Sequence, residues 1–336
     1  MRAIKLPARS LMGVLVVAGG IAAGLAGVAV LGLLIKATVS SFTWSGYLQQ
    51  VTSGLATGSI YGSLALALVL VYRTTDVVNF SQGEMATFTT FVAWSLMGHG
   101  MSYWPAFVLT LFVAFGGGVA VERTLIRPVE GRPEIVIVIV TIGLLIALNG
   151  LTGWIWGAEV KAVDSPFPNS TIDVHGVFVS AQDIGTFCVC LGAVLVLWLF
   201  FRFTTLGLAM RAVALNPDAS RLVGVRVGWL LALGWGFAAV LGAIAGLMAA
   251  PTVFLDPNMM LVILIYAFAA AVLGGIDSPV GAIVGGLLLG VIVNLLGTYV
   301  DFVGGELRLP SALAILLLVL LVRPQGLFGH VRVRRV

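Results

Sequence analysis

The chain has 336 residues, 60% of them hydrophobic and only 10% charged, with a formal net charge of +4 and a mean hydropathy of +1.11. Soluble domains average about 25% charged residues, so this balance excludes a soluble globular protein and points to a chain that crosses a membrane many times. The basic residues lie in short connections and at the ends, which excludes a nucleic-acid surface and fits the pattern that orients helices in a bilayer.

Arg2, Lys5 and Arg9 precede an apolar run over 11–35. That run is too long for a signal-peptide core and carries no small-residue cleavage site, so it reads as a retained helix. Further spans are expected at 48–72, 81–97, 105–122, 135–156, 183–201, 229–250, 261–275, 279–298 and 310–322. The runs 261–275 and 310–322 are short enough to be re-entrant or broken. None alternates apolar and polar residues as a β-barrel strand would. The expected fold is all-α: a polytopic membrane helix bundle of about ten spans. Glycines recur four apart, at Gly20 and Gly24, Gly54, Gly58 and Gly62, Gly242 and Gly246, and Gly281 and Gly285. Such spacing lets helix backbones approach closely in lipid.

The stretch "NFSQGEM" opens the third span. Ser81 followed three residues later by Glu84 has the spacing of a capping box, in which hydroxyl and carboxylate each take a backbone amide. Glu84 is also the main ionisable residue within a span, which is the setting of a group on a transport path. The two roles are compatible.

The connection over 157–182 holds Glu159, Asp164 and Asp173 against a single Lys161, with Pro166, Pro168 and, at its membrane edge, Trp156. It reads as a solvated outer loop or a surface for an external partner. Cys188 and Cys190 lie in one apolar run and read as plain core residues. The connection over 202–228 reads as two short helices. The first starts after Thr205. The second has Asn216 as N-cap, Pro217 at its first position and Asp218 in its first turn. Leu222, Val223, Val225 and Val227 keep an apolar surface among arginines, which suits a cytoplasmic docking face or a segment resting on anionic lipid. Late in the chain, "VLGGIDSPVGA" breaks another helix, with Ser278 or Asp277 as cap and Pro279 opening the next. Interrupted segments in two halves of a chain are a pointer to a substrate route.

Arginines fall on alternate connections, from Arg73 through Arg123, Arg127 and Arg132 to Arg202, Arg211, Arg221 and Arg226, and again from Arg323 to Arg335. Both termini are therefore expected in the cytoplasm and the acidic loop outside. There is no phosphate-binding G-x-x-x-x-G-K-[ST] loop, no metal-ligand spacing among His99, His175 and His330, and no nucleophile–base constellation. The expectation is no enzyme, no catalytic residue, no bound cofactor and no metal. With no ion relay either, the energy for any transport comes from partners.

"YLQQVTSGLATGSIYGSLALALVLVYRTTDVVNFSQGEMATF" resembles the start of the permease subunits of branched-chain amino-acid ABC importers, in particular their H-type member. "RAVALNPDASRLVGV", "AFAAAVLGGIDSPVGAIVGGLLLGV" and "LVRPQGLFG" are similar to that family's coupling region and closing segments. The resemblance runs from about Tyr47 to Gly329. It leaves 1–44 as an extra N-terminal membrane helix and outer linker, 45–329 as the permease domain, and 330–336 as a basic cytoplasmic tail.

The resemblance implies a non-enzymatic membrane subunit in the bacterial plasma (inner) membrane. Its partners would be two ABC ATPase subunits that bind ATP and Mg, a second homologous permease, an extracytoplasmic substrate-binding protein and membrane lipid, with no nucleic acid. By position it assigns Gly207, Arg211, Ala212, Asn216, Pro217, Ala219 and Gly224 to the ATPase-coupling surface. Asn79, Phe80, Gln82, Gly83 and Glu84, with Gly274, Gly275 and Asp277, fall to the substrate path or its gate. The leading substrates are Leu, Ile and Val. The alternatives are urea or short amides on the same architecture, or a self-sufficient ion-coupled carrier or channel.

Overall fold

The computed structural model describes residues 42–300, 302–304 and 306–329, together with 26, 27, 29, 30, 32, 33, 35 and 36, which are helical. Most of the expected first helix and the basic tail therefore lie outside the described residues. Eleven helices follow in the described residues: α1 (Trp44–Thr75), α2 (Gln82–Gly98), α3 (Tyr103–Val121), α4 (Glu134–Trp156), α5 (Ala181–Phe203), α6 (Thr205–Leu215), α7 (Pro217–Leu222), α8 (Val227–Val253), α9 (Met259–Gly274), α10 (Pro279–Tyr299) and α11 (Arg308–Val322). Six helical stretches are long and apolar enough to cross a bilayer: α1, α3 with its continuation to Val129, α4, α5, α8 and α10. The expected short spans are present as α9 and α11, and α2 is short as well, with 17 residues.

Hydrophobicity alone does not decide which helices face lipid. α1 and α8 are apolar along their length yet mostly buried, whereas α3, α4 and α5 turn most of their surface outward. Phe112, Ile146, Trp154 and Val196 stand well exposed on those three helices. Small residues make the difference. A methyl group on Gly54 would stand 2.7 Å from Val291 Cα, and one on Gly58 2.8 Å from the Gly286 carbonyl, so α10 lies backbone against backbone on α1. Gly286 and Gly290 of α10 return the contact on Gly62 and Gly58. Within lipid, such close approach supplies the dispersion contact that hydrophobic force cannot. Asn294 of α10 adds a polar tie, donating to the Gln50 carbonyl at 2.8 Å and to Gln50 Oε1 at 3.0 Å. Gly242 and Gly246 of α8 give the same access to α2, at Gln82, Ala86 and Thr90. Ile35, in the preceding helical segment, packs with Tyr47, Val291 and Leu295 at the edge of the α1–α10 pair.

The arginine-rich connections gather at one end of the bundle. The ring of Trp229 carries Arg123 at 3.5 Å, and Arg221 reaches Glu130 at 3.5 Å. A π-helical turn, Glu122–Ile126, ends α3 here and brings the buried Glu122 to 3.5 Å from Arg127. By the distribution of basic residues this is the cytoplasmic end. The bundle is all-α as expected, with one small addition at the opposite end. The 157–182 connection contains an antiparallel hairpin, β1 (Thr171–Val174) and β2 (Val177–Ser180). His175 and Gly176 turn it with φ of 54° and 83°, the left-handed pair that two-residue hairpins favour. Lys161 pairs its backbone with Leu255 and sits over the Trp94 ring at 4.9 Å, so this loop is fastened to the bundle. Cys188, expected in the core, is exposed on α5, while Cys190 is buried as expected. Two cysteines two apart on a helix point to different faces.

Candidate functional site: a polar cluster at the start of a half-length helix

α1 ends where Asp76 adopts φ 54°, and its amide closes back on the Tyr72 carbonyl at 2.8 Å. The chain then runs through Val77, buried beside Ile126, Ile137 and Trp235 near the inner end, and rises to start α2. The depth of that start follows from its contacts. Gln82 Nε2 donates to the carbonyl of Ala238 at 2.9 Å. Ala238 lies eleven residues along α8, or about 16 Å from the helix's inner end, which is about half the roughly 30 Å hydrocarbon thickness. Gly83 lies against the Met260 carbonyl and Leu264, so α9 starts beside α2. Two helix N-termini, each the positive end of a helix dipole, thus converge at half depth.

The capping box expected at Ser81 and Glu84 does not form. Ser81 has φ −80° and ψ 0° and makes no side-chain cap bond. That ψ turns the hydroxyl away from the amides of the first turn, which an extended cap residue would reach. Asn79 takes over instead: its Oδ1 accepts from the Ser81 amide at 3.1 Å and from the Ser81 hydroxyl at 2.6 Å, and its Nδ2 donates to Gln82 Oε1 at 3.0 Å. Asn79, Ser81, Gln82 and Glu84 are all buried, Glu84 to 2% exposure, while Phe80 remains 39% exposed.

Freed from capping, the Glu84 carboxylate turns to α4. Asn149 Nδ2 stands 3.4 Å from Glu84 Oε2, 3.1 Å from the Pro257 carbonyl and 3.0 Å from Asn258 Oδ1. Asn258 is the N-cap residue of α9, and its amide is held by Asp256 at 2.7 Å. The site therefore joins α2, α4 and the 254–258 connection. Among the described residues no cation forms a salt bridge with Glu84. A buried carboxylate with an amide neighbour and no counter-ion is suited to receive a passing ammonium or hydrogen-bond donor. Asn149 and Asn258 escaped the sequence reading. Asn149 was detectable in principle, as an asparagine within an otherwise apolar span.

Gly274, Gly275 and Asp277 do not join this cluster. Gly274 lies at the other end of α9, about 22 Å from its start. Ser278 caps α10 through the Gly281 amide at 3.0 Å, with Pro279 at the first position, as the sequence suggests. The turn packs on the closing segment: the amides of Leu327 and Phe328 donate to the carbonyls of Leu273 and Gly274 at 2.8 and 3.0 Å. Gly275, at φ 104°, has no room for a side chain, since a methyl there would meet the Gly329 amide nitrogen at 2.6 Å. The interrupted segment that faces the start of α2 is 254–258 instead.

The third set of residues forms one inner surface. α6 begins at Thr205, one residue earlier than expected, because Thr204 caps it through the Gly207 amide at 2.9 Å. Gly207 is buried where α6 turns back against Phe200 and Phe201. Asn216 caps α7 through the Ala219 amide at 2.9 Å, Pro217 opens that helix, and Gly224 closes it with φ 82°. Arg211, Ala212, Asn216, Pro217 and Ala219 are exposed, alongside Leu215, Leu222 and Val223 at 81%, 89% and 78% exposure.

Comparison with known proteins places these features. Residues 50–322 match the family model described as branched-chain amino acid transport system / permease component. The chain is similar to the high-affinity branched-chain amino acid transport system permease protein BraD of Pseudomonas aeruginosa, 32% identical over 86% of this chain and 98% of that protein. It is also similar to LivH of Escherichia coli K12, described in the same terms, at 30% identity with the same coverage. A more distant likeness is the fructose import permease protein FruF of Bifidobacterium longum, 24% identical over 69% of this chain and 66% of that protein.

Proposed function

This chain belongs to the branched-chain amino acid transport permease family, and on that premise we propose that it is the membrane subunit of an ATP-driven importer for Leu, Ile and Val. The observation that carries the reading is the α6–α7 surface. Leu215, Leu222 and Val223 stand almost fully exposed beside Arg211 and Arg221 at the arginine-rich end. An apolar and basic face of that kind outside the bilayer is stable when a partner covers it. Two ATPase subunits, carrying ATP and Mg, would dock there on this chain and on a second homologous permease. A binding protein on the far side would deliver the substrate, and the hairpin loop over 157–182 lies at that end.

Nucleotide binding would then bias the two permeases between outward- and inward-facing arrangements through rigid-body motion of α6 and α7. Glu84, Asn149 and Asn258 would form the polar station that meets the substrate's ammonium at half depth. Gln82 and Gly83 fix the station by locking α2 to α8 and α9. Asn79 shapes the turn beneath it.

The test is uptake of labelled leucine into proteoliposomes holding this chain, its partner permease, two ATPases and external binding protein. Uptake that needs lumenal ATP supports the reading. ATP-dependent uptake of urea or fructose in place of leucine would keep the architecture and replace the substrate. Leucine flux through this chain alone, indifferent to ATP, would overturn the reading.

A further inference from the structure

A pocket of about 200 Å³ opens at the cytoplasmic end, between the last turn of α1, the π-helical turn after α3, the start of α4 and the inner part of α8. Trp235 lines it, three residues nearer the inner end of α8 than Ala238, which anchors Gln82. The pocket is therefore separate from the Glu84 cluster and lies on its cytoplasmic side. Its lining combines two kinds of surface. Ile126, Ile137 and Leu231 are apolar. Glu122 and Trp235 are 2% and 1% exposed, and each keeps one buried atom without a hydrogen-bond partner among the described residues: Oε2 of Glu122 and Nε1 of Trp235. Nη2 of Arg127, which also lines the pocket, has none either. Buried polar groups rarely go unpaired, because the loss of water is then not made good.

The charges around the pocket do not favour a simple ion. Glu122 faces Arg127 at 3.5 Å, Glu130 faces Arg221 at 3.5 Å, and Asp76 is engaged as well. Arg132 and Glu134, both exposed, are one of each sign. A carboxylate alone would match Trp235 and Arg127 but meet Glu122 with like charge. An amine alone would match Glu122 and leave two donors empty. Water would pair all three and leave the apolar lining wet. We propose that this pocket binds a free α-amino acid with an aliphatic side chain, taken from the cytoplasm. Its carboxylate meets Trp235 and Arg127, its ammonium meets Glu122, and its side chain covers Ile126, Ile137 and Leu231. Four elements contribute to the lining, so an occupant would hold the inner ends of α1, α3, α4 and α8 together. The proposal stands on the lining of this pocket and not on which cargo the importer carries.

The test measures binding of labelled leucine to the full-length chain in detergent, without ATPase or binding protein. It uses the Glu84→Gln background, which removes the charge of the other ammonium site. Saturable leucine binding is expected there. Isocaproate, which lacks the ammonium, and isoamylamine, which lacks the carboxylate, should each compete at least about tenfold more weakly than leucine, since each forfeits a charge-assisted hydrogen bond. Trp235→Phe keeps a packed ring, removes the N–H and should weaken leucine about tenfold. Trp229→Phe makes the same change at the same end, outside this pocket, and should bind as before. The competition series uses no pocket variant, so it decides the matter even if Trp235→Phe folds poorly. No saturable binding, competition by either half-ligand as strong as leucine's own, or unchanged affinity in a folded Trp235→Phe would overturn the proposal. Leucine held at this pocket but not carried by the assembled importer would support the proposal and overturn only the cargo reading.

Discussion

Glu84 and Asn149 meet side chain to side chain at 3.4 Å across 65 residues of sequence, joining the first turn of α2 to the middle of α4. The contact redirects a carboxylate that local sequence assigns to a helix cap. It also separates two functions that would otherwise be confounded in any variant of Glu84: holding the helix start and meeting the substrate.

Glu84→Gln should therefore leave the fold intact and impair transport. The amide keeps the size and an acceptor for Asn149, while the charge is lost. A charge-assisted hydrogen bond contributes about 1.5–3 kcal/mol, so uptake in the assembled importer should fall by roughly tenfold to a hundredfold. Melting profiles in detergent should stay level. A lowered melting temperature with normal uptake would return Glu84 to a structural role.

The turn that starts α2 should depend on Asn79 and not on Ser81. Asn79 holds the Ser81 amide, the Ser81 hydroxyl and Gln82. Asn79→Ala should cost about 1–2 kcal/mol of stability, within the range of lost caps, and Ser81→Ala less, about 0.5–1 kcal/mol for the one bond its buried hydroxyl makes to Asn79. Denaturation of the two variants in one detergent decides it, and a reversed order would restore the capping box.

Much of the helical plan was legible in residue pattern, and so was the cap of α7. Asn216, Pro217 and Asp218 act within one turn, so the three residues carry all the information needed. Ser81 and Glu84 show the limit of the same logic. Their spacing is right, yet Asn79 competes from two residues upstream and Asn149 from another helix, and only the folded chain ranks those partners. Gly54, Gly58 and Gly62 announced a close helix contact but not that α10 makes it. The hairpin at His175 and Gly176 was missed because each strand has four residues in a loop rich in proline and charge. Which helices face lipid was likewise hidden, since α1 and α4 are both apolar and differ in their glycine face.

The glycine seam sets a position-specific prediction. Gly58→Ala places a methyl 2.8 Å from the Gly286 carbonyl and the Leu287 Cα, and such overpacking against backbone costs about 1–3 kcal/mol. Gly116→Ala on α3 has nothing within 4 Å and should be neutral or slightly stabilising, because alanine is the better helix former. Paired thermal melts of the two variants read the difference. Equal melting temperatures would mean that α1 and α10 are not in close contact.

The docking face should fail by charge without losing stability. Leu222 and Val223 touch little of their own chain at 89% and 78% exposure, so Leu222→Glu and Val223→Glu should change melting by less than about 0.5 kcal/mol. Co-purification of the ATPase should be lost in the double variant. Retained ATPase with full ATP-dependent uptake would place the contact elsewhere.

The α1–α10 seam also has a consequence for biogenesis. Asn294 and Gln50 are 244 residues apart, so α1 enters the bilayer long before its partner exists. At about 5–20 residues per second, the glycine face waits roughly 10–50 s with only lipid against it. During synthesis α1 is thus an incomplete helix pair, and any chain released before residue 279 keeps it so. The ribosome's pace, and whatever shelters a nascent span in that interval, become part of what this sequence requires to fold.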